Sequence, residues 1–291
     1  KKLIVPGKPG ESELYRRISH MDQDELMPPP KSRLKLTGEQ RELIREWIAS
    51  GAEWEGHWSL QALIRPQVPE QKESDWPRNP VDHFILRRLR EADFVPARPE
   101  AKERLLRRVT LDLTGLPPTL EEIDDFLASD APDAYEKVVE RLLESPSYGE
   151  RMAWDWLDLA RYADTNGFQG DSTRSMWPWR DWVVRSLNAN MPFDRFTVEQ
   201  IAGDMLPDAT LEQKLATGFC RNHMINGEGG RIAEENRVEY IFDQIETVGT
   251  VWMGLTVQCA RCHDHKFDPL RQRDYYQLFA IFNQTPVNGG G

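Results

Sequence analysis

The stretch CARCHDHKFDP, residues 259–269, concentrates ligand chemistry: of three cysteines and six histidines in the chain, two of each fall between Cys259 and His265. Cys259 and Cys262 are separated by two residues, and His263 follows directly. This is the spacing by which two thiols add to haem vinyl groups while the next imidazole turns onto the iron. Two intervening residues let one turn of chain set both sulfurs along one edge of the macrocycle. Zinc is the rival, since Cys259, Cys262 and His263 or His265 make three or four tetrahedral ligands. A structural zinc site usually draws on two separated knuckles, however, and only Cys220 and distant histidines remain for the second. A redox-active dithiol is the third alternative.

Upstream, the chain enters this stretch through a helix. Val238, Ile241, Phe242, Ile245, Val248 and Trp252 recur at helical spacing over about five turns, the pattern of a core-facing stripe. Downstream, RDYYQLFAIFNQ reads as a last amphipathic helix before a glycine-rich end. His265 lies too close in sequence to His263 to reach the opposite haem face. A distal ligand is therefore expected upstream, where His223 and Met224 in the polar loop RNHMINGEGG are the candidates.

The rest of the chain reads as short helices. Thr37 with Gln40 forms a capping box opening a helix whose apolar face is Leu43, Ile44, Trp47 and Ile48, and Gly51 stops it. Thr119 with Glu122, Thr197 with Gln200 and Thr210 with Gln213 repeat the box. DELMPPPKSRLKL is expected to be a stiff extended loop, since three prolines in a row resist helix. Residues 59–77 mix proline with charge and read as a linker. The expected class is mainly α: a small unit over 1–58, the linker, and a larger multi-helix domain over 78–291 carrying the CxxCH sequence.

Composition narrows the function. Apolar residues make up 39% of the 291, with ten Trp and eleven Phe, which suffices for a core. The net charge is −11, with 48 acidic against 37 basic residues interspersed, so no basic stripe exists to neutralise phosphates and nucleic acid is a poor partner. No apolar run is long enough to span a membrane. Covalent haem attachment takes place on the exported side, which predicts a periplasmic or extracellular protein whose signal peptide is not part of this sequence. Cys220, alone in LATGFCRNH, reads as a small buried hydrophobe.

GLTVQCARCHDHKFDP, with RYADTNGF and RNHMINGEGGRIAEENRVEYIFDQIET, resembles the DUF1549 (PSCyt2) domain of large exported planctomycete-type proteins over residues 78–285. That domain is commonly preceded by a small cytochrome c domain, PSCyt1, and followed by DUF1553. VPGKPGESELYRRI, MPPP and LIREWIASGAEW are similar to the second half of such a cytochrome c domain. The resemblance implies that Met27 is the axial ligand of a first haem, whose own CxxCH is absent from residues 1–58, as in a fragment of a longer chain. It also implies haem c, export and genomic company with polysaccharide-degrading systems, but no settled reaction.

Acid–base candidates surround the motif. His265 is the leading base because its ordinary pKa lies near neutrality, with Asp268, Arg161 and Asp164 as polar partners able to bind a sugar-like or small polar substrate. Asp268 before Pro269 is equally a turn residue. The expected function is exported electron transfer to a partner protein, serving an oxidoreductase acting on an extracellular, plausibly carbohydrate, substrate. The alternative is a zinc-holding or carbohydrate-binding structural module, the latter using exposed tryptophans such as Trp177 and Trp179, although a core role suits those rings better.

Overall fold

The computed structural model describes residues 2–54, 56–70 and 74–287; among these, regular structure is helical apart from one isolated antiparallel bridge between Thr165 and Thr173. No helix among them is long and apolar enough to cross a membrane. The chain divides into two compact units, Lys1–Ala97 and Arg98–Gly291.

The first unit holds α1 (Glu13–Ile18), α2 (Gly38–Ala49) and α3 (Pro80–Glu91). α2 opens on the expected box: Thr37 Oγ1 accepts the Gln40 N–H at 3.1 Å and Gln40 Oε1 accepts the Thr37 N–H at 2.9 Å. Its inward face is narrower than the sequence spacing implies. Ile48 is fully buried, Ile44 and Trp47 are half-buried, and Leu43 is 67% exposed. The proline run is also not wholly extended: Pro30 opens a short 3-10 turn, Pro30–Ser32, at a position where a missing N–H costs nothing. Ile18, Leu26, Met27, Leu34 and Leu36 line a cleft of about 300 Å³ in this unit.

The second unit runs through α4 (Lys102–Thr114), α5 (Leu120–Ala128), α6 (Ala134–Leu143), α7 (Pro146–Leu159), α8 (Trp177–Asn188), α9 (Phe193–Ala202), α10 (Leu211–Ala216), α11 (Ala233–Met253) and α12 (Gln272–Phe282). α4 packs on α5, α6 and α7, and α7 lies along α8. Their approach is close because Gly149 has no side chain: a Cβ there would sit 2.5 Å from the Val184 carbonyl oxygen. The Gly149 N–H donates to Asn188 Oδ1 at 2.7 Å. Around this pair the core gathers Trp179, Trp182, Phe196, Phe219, Ile241 and Ile245.

Two expectations about this core change. The Thr197–Gln200 box does not form, because α9 already starts at Phe193 behind Pro192, and Thr197 Oγ1 donates to the Phe193 carbonyl from inside the helix. Gln200 is instead buried and accepts the Trp156 indole N–H at 3.0 Å. The two tryptophans of α8 part company: Trp179 is 2% exposed and Trp177 is 53% exposed. Trp179 therefore offers no surface for a sugar. Cys220 is half-buried against the core, less enclosed than expected, its thiol pushed up to about 12 by burial.

Candidate functional site

α11 is amphipathic in an unusual sense. Ile241, Phe242, Ile245 and Val248 enter the core, while Glu239, Asp243, Glu246, Thr247 and Thr250 repeat at three- and four-residue steps along another face. At its end Gly254, with φ +64, reverses the chain. Gly249 then lets the returning chain lie close on the helix, since a Cβ there would meet Val257 Cγ1 at 2.6 Å.

The returning segment is a 3-10 helix, Val257–Arg261. Residues three apart eclipse each other in that geometry, so its inward side takes Val257 and Ala260, 3% and 0% exposed. Cys259 lies within this turn and Cys262 caps it, both as exposed free thiols. Arg261 fastens the turn: its guanidinium lies 3.8 Å from the Phe242 ring centroid and pairs with Glu239. Gln272 Nε2 and Tyr276 O–H both donate to its carbonyl, at 3.2 and 3.1 Å.

His263 is exposed, with Nδ1 2.7 Å from the Asp264 carbonyl oxygen. A carbonyl only accepts, so Nδ1 carries the proton and Nε2 keeps its lone pair. Asp264 is itself anchored by accepting the Gln272 N–H at 2.9 Å where α12 begins. His265 is oriented the opposite way. Its Nδ1 accepts the Asp268 N–H at 2.8 Å and the longer Phe267 N–H at 3.3 Å, with Asp268 Oδ2 also 3.3 Å away. Its side chain is 7% exposed. His265 and Asp268 thus form one closed turn.

Arg161 stands elsewhere in sequence but beside the motif in space. At the end of α7 it takes the left-handed φ of +59 and pairs with Asp243. This ion pair borders a cleft of about 240 Å³ that also receives Glu246, Thr247, Thr250, Thr256 and Gln258, the last adjacent to Cys259. Asp243 Oδ2 is buried without a partner among the described residues. On its other side Asp243 borders a second cleft, about 300 Å³, lined by Phe168, Met224, Asn226 and Glu239. Asp164 turns away from both and accepts the Tyr162 O–H at 2.6 Å.

Of the residues singled out from sequence, then, the structure brings Arg161 to a cleft adjoining the cysteines and Met224 to its neighbour. His223 is not joined to 259–263 by any hydrogen bond, ion pair or ring contact among the described residues; it stacks on Tyr240 at 4.6 Å. Glu246, Thr250, Thr256 and Gln258 were missed. For Glu246 and Thr250 the repeating polar positions beside the apolar stripe of α11 were the available signal; Thr256 and Gln258 lie past the helix end, where no such pattern marks them.

Glu246 is held protonated more readily than an ordinary carboxyl: burial raises its pKa, partly opposed by the Tyr275 O–H donating to Oε1 at 3.0 Å. A raised folded-state pKa gives stability that is full below the unfolded value and is lost as pH rises through the folded one. Glu246→Gln, neutral throughout and still an acceptor for Tyr275, should raise the thermal midpoint at pH 7.5 and leave it unchanged near pH 4. Melts at both values check this, and a lower midpoint at pH 7.5 would show the carboxylate to be stabilising.

Comparison with known families gives two matches. The profile of PSCyt2, described as a protein of unknown function (DUF1549), matches residues 80–287. The chain belongs to the PSCyt2 family. A second profile, Planctomycete cytochrome C (PSCyt1), matches residues 1–31. No curated protein and no solved structure matches the chain. The PSCyt2 match begins at α3, which lies in the first compact unit, and takes in the whole of α4 to α12.

The donor arrangement distinguishes the two cofactors considered. Among the described residues no group of three or more His, Cys, Asp or Glu side chains is placed to hold a metal ion, which does not fit a zinc knuckle. Haem c needs less: two accessible thiols at one turn and an imidazole whose Nε2 is free. Cys259, Cys262 and His263 fit that requirement.

Proposed function

We propose that this PSCyt2 chain is an exported c-type cytochrome, with haem joined to Cys259 and Cys262 and ligated by His263, passing electrons to a partner protein. The observation that carries the reading is the His263 Nδ1 contact with a backbone carbonyl, beside two exposed free thiols in and at the end of a 3-10 turn. When bound, the haem supplies one-electron chemistry. Every other contribution comes from the chain. Asp264 orients the imidazole, and Arg261 with Glu239 and Phe242 keeps the turn on α11. Because Cys259, Cys262 and His263 are exposed, a redox partner could approach a haem held there.

Met224 is the candidate for a second residue that would hold the iron, because it lines the same cleft as Glu239, whose partner Arg261 lies between the two cysteines. His223, the other candidate, opens onto a separate cavity. The Arg161–Asp243 cleft suits a small, polar, uncharged molecule, a sugar-like substrate included, since its acidic and basic groups nearly balance and its threonine and glutamine groups both donate and accept. Glu246, whose pKa burial raises above that of an ordinary carboxyl, is the group there best suited to take up a proton. His265 is a poorer base, since Asp268 and Phe267 already occupy its Nδ1 lone pair.

In the first unit we place a cytochrome c-like remnant over residues 1–58, followed by a linker to 77 and the PSCyt2 domain from 78. Met27, 43% exposed at its apolar cleft, is the group there that would ligate an iron. Residues 1–58 contain no cysteine, so this unit by itself has no thiol for covalent attachment.

Protein purified from an exporting host should show a c-type absorption spectrum and one haem per chain by pyridine haemochrome. Carbon monoxide added after dithionite should leave the spectrum unchanged if Met224 closes the sixth position and shift it in Met224→Ala. Absence of a Soret band together with stoichiometric zinc would overturn the reading.

A further inference from the structure

A cavity of about 220 Å³ in the second unit is lined by Arg174, Met176, Arg221, His223, Ile225, Tyr240, Pro286 and Val287. It adjoins the second of the α11 clefts, with which it shares Tyr240, and its charge runs against the chain's. In a protein of net charge −11, it contains two arginines and no carboxylate. Neither Arg174 nor Arg221 has a carboxylate within ion-pair distance among the described residues, whereas Arg161, Arg195, Arg237 and Arg261 each have one.

Arg174 is partly committed. Its Nε, Nη1 and Nη2 donate to the carbonyls of Ala163, His223 and Asn222 at 3.4, 2.7 and 3.2 Å. A guanidinium has five N–H groups, so one on each terminal nitrogen is left. Arg221, exposed, makes no side-chain hydrogen bond among the described residues. Tyr240 accepts the Asn226 N–H at 2.7 Å and keeps its own proton to donate. His223 has Nδ1 at 3.0 Å from the Met224 carbonyl, which leaves Nε2 as an acceptor. The remaining walls, Met176, Ile225 and Val287, are apolar.

We propose that this cavity binds a small hydroxycarboxylate with an apolar tail. Its carboxylate lies between Arg174, Arg221 and the Tyr240 hydroxyl, and its hydroxyl donates to His223 Nε2. The available volume, that of about seven waters, holds such a molecule. Phosphate matches less well: a dianion would set lone pairs against Nε2 and leave the apolar wall without a partner. The inference does not depend on haem.

The probe is 2-hydroxy-4-methylpentanoate, titrated calorimetrically into the full chain at pH 7.5 and fixed ionic strength, beside 4-methylpentanoate and inorganic phosphate. Saturable binding is expected, at least fivefold tighter than for the deoxy analogue and tighter than for phosphate. Arg221→Glu should weaken it at least tenfold while its melting midpoint stays unchanged, and Tyr240→Phe, which keeps the stacked ring, should weaken it less. No saturation up to 20 mM (roughly the weakest affinity such a pocket would show) would overturn the proposal. So would phosphate binding more tightly, or an unaltered affinity in a folded Arg221→Glu.

Discussion

A Cys259→Ser, Cys262→Ser double variant is expected to leave an exporting host colourless, with no haem on its denatured chain, and to melt within about 1 °C of the unloaded parent. Both halves of the result follow from the turn. The thiols are free and exposed, while the packing beneath them belongs to Val257 and Ala260. Exposed substitutions of this kind change stability by at most about 0.5 kcal/mol. Each single variant should keep one thioether and a weaker, strippable pigment. His263→Ala separates attachment from ligation: the colour stays on the chain, and carbon monoxide then binds a site that the parent keeps closed. A double variant that remains red after denaturation in acid acetone would end the haem proposal. One that loses its fold and a stoichiometric zinc would replace it.

The second large effect lies in the core. Trp179→Ala should cost about 4 kcal/mol, the usual consequence of emptying a large aromatic site, and lower the midpoint by roughly 12 °C. Trp179 touches the rings of Tyr162 and Phe219 and lies against Gly218, where a Cβ would come within 2.8 Å of its own Cβ. Its indole N–H is buried and unpartnered among the described residues, so the cost is packing with no hydrogen bond in it. Trp179→Phe should therefore recover more than half. Trp177→Ala, at an exposed ring two positions away, should stay within about 0.5 kcal/mol of the parent. Denaturant melts of the three variants settle the contrast, and equal losses for Trp177 and Trp179 would contradict the packing described.

What was legible in the sequence was local. The apolar stripe of α11 and the boxes at Thr37, Thr119 and Thr210 are set by spacings of three and four residues, and all of them formed. Thr197 shows the limit of that argument. The same Thr-x-x-Gln pattern was available, but Pro192 allowed the helix to begin earlier, and burial of Phe196 and Gln200 fixed its position. The cysteine spacing was equally local, and so was readable. The cleft beside it was not, because its central ion pair joins residues 82 apart. Nor could sequence show that His265 turns its Nδ1 onto a backbone amide while His263, two residues earlier, turns its Nδ1 onto a carbonyl. Those opposite tautomers depend on the path of the turn, which α12 and Arg261 hold in place.

The CxxC turn is fastened by Val257, Ala260 and Arg261, and not by its cysteines, which bears on the order of events during biogenesis. The packing of this turn uses neither sulfur, so its shape does not depend on what the thiols carry. On the proposed reading, a chain held in an oxidising compartment before attachment would carry two sulfurs, close in sequence, able to close on each other. The yield of haem-bearing protein would then depend on the supply of reductant at the site of assembly.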